Sequence, residues 1–247
     1  MSRDAVKQNL DTVKTARDKP VMATKQLEKR QKKRASAAGQ GRGAPRKAAA
    51  AAPYHHGSLH EALLQAAETI LERDGLQGLT LRAAAREAGV SHAAPTHHFG
   101  DMGGLVSELA ALGFRKFGAA LSAAAAAKTS AGERMDAMGE AYVMFAREHP
   151  SMFLLMFRSE RLDVTRPALH EAMQEAFGLL MRGVSARHAG EAQATPPLAI
   201  LAEIVRAWSM VHGFAMLMID HRLDHMLSYL PNGTDARDLL RAMIRAK

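Results

Sequence analysis

From residue 54 to the C-terminus, apolar side chains recur three and four positions apart, the spacing of a helix face. No convincing strand pattern interrupts them. The first stripe is Leu59, Ala62, Leu63, Ala66, Ile70 and Leu71. Ser58 and Glu61 form a candidate capping box that opens this helix, and Gly75 after Asp74 is its expected stop. Leu76 and Leu79 lead to Thr80, a candidate N-cap for a helix with Leu81, Ala84, Ala85 and Ala88 on one face. Gly89 can take the left-handed conformation that ends it, and Val90 can plug the corner. Ser91 is a candidate cap for a third helix of about two turns. This order of parts is a helix-turn-helix, whose second helix enters the DNA major groove.

The periodicity continues beyond Asp101, a cap or first-turn acid. Leu105, Leu109, Leu112, Phe117 and Leu121 predict a long helix to about Ala127, although Gly103 and Gly104 weaken its first turn. A helix over Glu133–His149 follows, with Met135, Met138, Tyr142, Phe145 and Ala146 on its apolar side. Pro150 suits the first position of a short helix whose run Met152–Phe157 is apolar nearly all round, and so buried. After the charged connection Arg158–Arg166, Pro167 opens a helix to about His188, with Leu169, Met173, Phe177, Leu180 and Met181 as its stripe. A polar loop, Ala189–Thr195, precedes a strongly apolar helix from Leu198 to about Leu223. Thr234 or Asp235 caps a last helix carrying Leu239, Leu240, Met243 and Ile244. The fold class expected is all-α: an N-terminal three-helix helix-turn-helix domain at 54–100, then a C-terminal helical bundle at 101–247.

Composition agrees with this. The chain has 247 residues, 47% of them hydrophobic, and few aromatics. With no Cys, disulfides, thiolate metal sites and cysteine nucleophiles are excluded, which fits a cytoplasmic protein. No apolar run is expected to approach the roughly 18 residues of a membrane span, so no membrane association is expected.

The formal net charge of +8 changes meaning once it is divided. Residues 1–53 hold 14 Lys and Arg against 4 acids, a net +10, whereas residues 54–247 hold 19 against 21, a net −2. The basicity belongs to an N-terminal arm, which includes the run KQLEKRQKKR and an Ala/Gly-rich linker. The arm lacks the large apolar residues that would offset its ordering entropy, so residues 1–53 are expected to be disordered. Met22 is a second candidate start, since the fold needs nothing from residues 1–21.

The stretch YHHGSLHEALLQAAETILERDG, then LTLRAAAREAGVSHAAPTHHFGD, then ELAALGFRKF closely resembles the DNA-binding domain of the TetR family of bacterial transcriptional regulators. The segment AWSMVHGFAMLMID resembles the Trp-His-Gly segment of one TetR C-terminal domain class. The resemblance implies a homodimer, a double-stranded DNA operator and a small-molecule effector bound in the C-terminal bundle, with no cofactor. Carried over by position, it puts Ser91, His92, Ala93, Ala94, Thr96, His97 and His98 on the recognition helix, with Thr80 and Arg82 opening the helix before it. Two departures stand out: Thr96 where many members have Tyr, and Met102 where many have a phosphate-binding Lys. Residues 54–121 also hold five basic side chains against seven acids, so the arm is expected to supply phosphate contacts. For the effector pocket the resemblance points to the helices bearing Met138, Tyr142, Phe145, Met152, Met156, Phe177, Trp208 and His212. Of the 15 Met, Met135, Met144, Met173 and Met181 also lie on these helices; Met is more often core filler than a ligand box, but here an adaptable apolar cavity is the competing reading. The dimer seam is expected on Leu198–Leu223 with Leu239–Ile244.

Other readings of particular residues are blander. His92, His97 and His98 can act as neutral polar surface or as a pH-dependent DNA contact, and the former is favoured because no carboxylate is paired with them. The pairs His56/His60 and His221/His225 have metal-ligand spacing but straddle helix ends, so no metal is expected. Trp208 and His212 share a helix face, which serves a pocket, a seam or the core. An enzyme is not expected: there is no Gly-rich phosphate loop, HExxH or GxSxG. The expectation is a ligand-responsive regulator, a repressor released by an apolar molecule; the alternatives are a DNA-binding regulator without a ligand and an all-α enzyme.

Overall fold

The structure, a computed structural model, describes residues 56–188 and 197–246. The arm and linker at 1–53 and the loop at 189–195 lie outside the described residues, as do the expectations made for them. The described residues hold ten helices and no strand. They are α1 (His56–Gly78), α2 (Leu81–Glu87), α3 (Ala94–Phe99), α4 (Met102–Ala126) and α5 (Ala131–Glu148), then α6 (Pro150–Arg158), α7 (Pro167–Ser185), α8 (Leu198–Ile219), α9 (Asp224–Leu227) and α10 (Ala236–Arg245).

Several boundaries differ from the periodic reading, each for a local reason. α1 begins at His56, so Ser58 lies within its first turn rather than at its cap. Gly75 breaks α1 after Asp74 with φ 68°, and one further turn carries the chain to Gly78. α4 starts three residues before Leu105, because the Asp101 carboxylate accepts from the Gly104 amide at 2.8 Å and anchors the turn that the two glycines weaken. Ser130 caps α5 in a capping box with Glu133, which makes Glu133 the third residue rather than the first. At α10 it is Asp235, not Thr234, that caps, in a box closed by Asp238.

α4 is the axis of the core. Leu105, Val106, Leu109, Ala110, Phe114 and Phe117 are buried along it, and it packs against α5, α6 and α7. Gly113 lets α6 come close: a Cβ there would stand 2.7 Å from the Met152 sulfur. α1 packs on α2, α4 and α6, so the N-terminal helices rest directly on the C-terminal ones. That junction includes a buried charge. Glu68 on α1, 4% exposed, pairs with Lys116 on α4, and its second carboxylate oxygen has no partner.

α8 is long and apolar enough to cross a membrane by length and composition, because Glu203 and Arg206 interrupt its apolar run without outweighing it. Its inner face buries Ile204, Val211, Phe214 and Ala215. On its outer side Leu198, Leu201, Val205 and Trp208 are exposed, 82% at Leu198. α10 contributes little apolar surface outside. Leu240 is fully buried and Leu239 and Ile244 pack against the core, which leaves Met243 as its exposed apolar side chain. Among the described residues the exposed apolar face is therefore chiefly that of α8, with Met243 added by α10.

Candidate DNA interface and internal cavity

The helix-turn-helix is built by short-range hydrogen bonds. The Thr80 hydroxyl accepts from the Ala83 amide at 3.0 Å and starts α2. α2 ends in a Schellman motif: the Val90 amide reaches back to the Ala85 carbonyl at 2.9 Å and that of Gly89 to Arg86 at 3.2 Å. Gly89 takes the left-handed φ of 68° that the motif needs, and Val90 packs against the core. Ser91 does not cap α3. It lies in a turn in which its carbonyl accepts from the Ala94 amide at 3.1 Å, and the helix starts three residues later with Pro95 in its first turn. Pro95 sets φ for the helix and is buried, so it pins α3 to the core.

This geometry sorts the residues expected to face DNA. Ser91, His92, Ala93, Thr96 and His97 are exposed, as are Thr80 and Arg82. Ala94 and His98 are half-buried; the His98 ring sits 6.0 Å from His60 and 5.5 Å from His97. Arg82 and Arg86 project from α2 without an ion pair among the described residues. Arg73, by contrast, is bound to Asp74 at 3.0 Å and to Glu87 at 3.2 Å, contacts that hold its guanidinium firmly protonated. Met102 is half-buried against the core.

One contact was not legible in the sequence. Arg166, at the end of the α6–α7 connection, donates from Nη2 to the carbonyl of Phe99, the last residue of α3, at 3.1 Å. Gly104 makes room for it: a Cβ there would overlap the Phe99 carbonyl and stand 2.7 Å from Arg166 Nη2.

Between α4, α5, α6, α7, α8 and α10 lies a cavity of about 730 Å³. Its lining is dominated by aromatic and Met side chains, among them Phe114, Phe117, Met135, Phe157, Met173 and Met210. Of the residues expected at an effector site, Met138, Tyr142, Met156, Phe177 and Trp208 border it. Phe145 and Met152 do not. Phe145 sits between Phe117, edge to face at 5.3 Å, and the tilted ring of His149 at 4.9 Å, and Met152 lies against Gly113 of α4. His212 stands behind the wall. Its Nδ1 is 2.8 Å from the Tyr142 hydroxyl, which also accepts from Trp208 Nε1 at 3.2 Å. Burial pushes the Tyr142 hydroxyl well above the ordinary tyrosine range, with the Trp208 N–H pulling the other way, so the phenol keeps its proton. Phe177 and Trp208, 47% and 39% exposed, meet edge to face at 6.4 Å on the side open to solvent. Helical spacing places such residues on inner faces; it cannot tell which of them border empty space. Phe114 and Phe157 were missed for that reason, and His170 and Gln174 because they are polar and exposed and belong to no apolar stripe.

No group of three or more His, Asp or Glu side chains able to hold a metal occurs among the described residues. His225 meets Tyr229 edge to face at 5.1 Å, and His221 meets Asp224 at 3.3 Å.

Residues 63–109 match the family model for bacterial regulatory proteins of the tetR family, and residues 135–246 that for the tetracyclin repressor-like C-terminal domain. No curated protein matches the chain in sequence. Among solved structures, a protein with unknown function from Rhodococcus sp. RHA1 is 36% identical, with a TM-score of 0.63 over 78% of this chain and 94% of its own. A TetR family transcription regulator from Marinobacter aquaeolei VT8 shares the fold at 17% identity, with a TM-score of 0.51 over 76% of this chain and 94% of its own. The helix-turn-helix and the bundle behind it match in order and extent, and the chain belongs to the TetR family of DNA-binding bacterial transcriptional regulators.

Proposed function

We propose that the protein is a ligand-responsive repressor of the cytoplasm, a homodimer that releases its operator when a small apolar molecule fills the cavity. Residues 54–100 read the DNA, and residues 101–247 sense the ligand and dimerise. The observation that carries this reading is the cavity itself. A volume of about 730 Å³ lies in the range of small-molecule sites, and its walls are mostly apolar, with Phe and Met prominent among them. Most polar groups on its walls already have partners: Tyr142 bonds to Trp208 and to His212 behind the wall, His170 to Gln174, and Arg187 to Glu203, so a ligand need not supply them. That favours an apolar ligand, with the Met side chains adapting to its shape. It also favours a sensor over a DNA-binding regulator without a ligand.

Ser91, His92, Ala93, Thr96 and His97 supply the base-facing surface; Ala94 and His98 lie behind it as support. Thr80 and Arg82 meet phosphates. The exposed stripe of α8 forms the centre of the dimer, where Gly213 offers open space for a close helix crossing. A ligand that prefers the spacing unable to bridge two half-sites shifts the population away from DNA.

The test uses the purified full-length chain and a panel of apolar aromatic compounds. Trp208 is the single tryptophan, and it borders the cavity, so binding reads out directly as a change in its emission. At least one compound is expected to change that emission, raise Tm and lower affinity for a duplex selected from random sequence. Compounds that bind and raise Tm while leaving DNA affinity unchanged would overturn the ligand-responsive reading.

A further inference from the structure

We propose that Arg166 is a positioning residue that couples the cavity to the recognition helix. Its guanidinium holds the last carbonyl of α3, and its own main chain begins the helix that walls the cavity. The inference rests on the reading of the cavity as an effector site. Three observations carry it.

First, Arg166 Nη2 donates to the Phe99 carbonyl at 3.1 Å, so a cation meets the negative end of α3. The missing side chain of Gly104 clears the space for this contact.

Second, Arg166 is the residue before α7, and its carbonyl accepts from the His170 amide at 2.9 Å. His170, Met173, Gln174 and Phe177, over the next turns of α7, line the cavity. One residue therefore touches the reader with its side chain and the first cavity-lining turn with its backbone.

Third, the connection before it is braced and not slack. The Asp163 amide donates to the Ser107 hydroxyl at 2.9 Å, and Ser107 is fully buried on α4. Asp163 in turn accepts from the Thr165 amide and hydroxyl, at 3.1 and 2.6 Å. A shift of α7 around a ligand cannot be absorbed in such a loop, so it is passed to Phe99 and to α3.

Coupling between two sites is reciprocal, so it is measurable from the DNA side without an identified ligand. DNA binding by the wild type should change Trp208 emission at the cavity. The test compares wild type, Arg166→Met and Arg161→Met as full-length proteins titrated with a selected duplex. Arg161→Met removes the same charge from the same loop, at an exposed residue with no side-chain partner among the described residues. Arg166→Met should bind the duplex about tenfold more weakly, as expected for loss of a charge-assisted hydrogen bond. At saturation it should lose the change in Trp208 emission. Arg161→Met should keep both affinity and change. Should Arg166→Met fail to fold, Arg166→Lys keeps the charge without the planar fork and should show a reduced emission change. The inference is overturned if an Arg166 variant keeps the full change at saturation, or if wild type saturates with no change. A wild type that binds no duplex at all overturns the regulator reading instead, and the inference with it.

Discussion

Tyr142 joins the two helices that matter most to the cavity. Its hydroxyl on α5 takes the Trp208 N–H and meets His212 Nδ1, both on α8. Tyr142→Phe leaves the Trp208 N–H without its acceptor inside the fold. We expect a loss of about 1–3 kcal/mol in denaturant unfolding, with Trp208 emission shifted in the native state. That Tyr142, Trp208 and His212 are near one another was half legible: the four-residue spacing of Trp208 and His212 put them on one face, but no pattern in the sequence joins α5 to α8. The same limit applied to Arg166. Its charge marked a connection, and only the folded chain shows which carbonyl it meets. Caps were legible where one side chain served one turn, as at Thr80 and Asp101. They were misread at Ser91, because a buried Pro95 starts α3 later than a serine cap would.

At the scale of elements, α10 is held to α5 by charge as well as by Leu240. Glu140 meets Arg241 at 2.9 Å and Arg237 at 3.0 Å. The Arg241 hydrogen bond, against the opposing cost of burial and helped by Arg237, holds the Glu140 carboxyl below the ordinary glutamate range. A carboxyl depressed in the folded state stabilises it above the unfolded value, and that contribution is lost as pH falls through the folded value. Attachment of α10 should therefore weaken below about pH 4.5, the ordinary glutamate value. Hydrogen exchange should show residues 236–245 losing protection before α4 does. α8 has the opposite problem, an apolar face with none of the described residues over it. Val205, 57% exposed in the middle of that face, is the position to probe. Val205→Arg should shift the protein from dimer to monomer in analytical ultracentrifugation and lower operator affinity. The period of α8 was legible in the sequence. That α10 turns its apolar side inward was not, since an amphipathic stripe does not say which neighbour covers it.

The whole molecule combines an acidic body with a basic arm. The folded region around the helix-turn-helix carries more acids than bases, Arg73 is already engaged, and Met102 is uncharged and half-buried. Non-specific attraction to DNA is then expected to come from the 14 basic residues of 1–53. Deleting them should lower affinity and flatten its dependence on salt, as measured by fluorescence anisotropy from low to high ionic strength. An unchanged slope would remove the arm from the account. The central claim is that one body reads DNA and a ligand at once. Its most direct test is a footprint of the full-length protein on the DNA flanking its own gene, at low salt, with and without a compound that changes Trp208 emission. The account predicts protection of a near-palindromic site, lost when the compound is added. Protection of no site, or protection that a cavity-bound compound leaves unaltered, would contradict it.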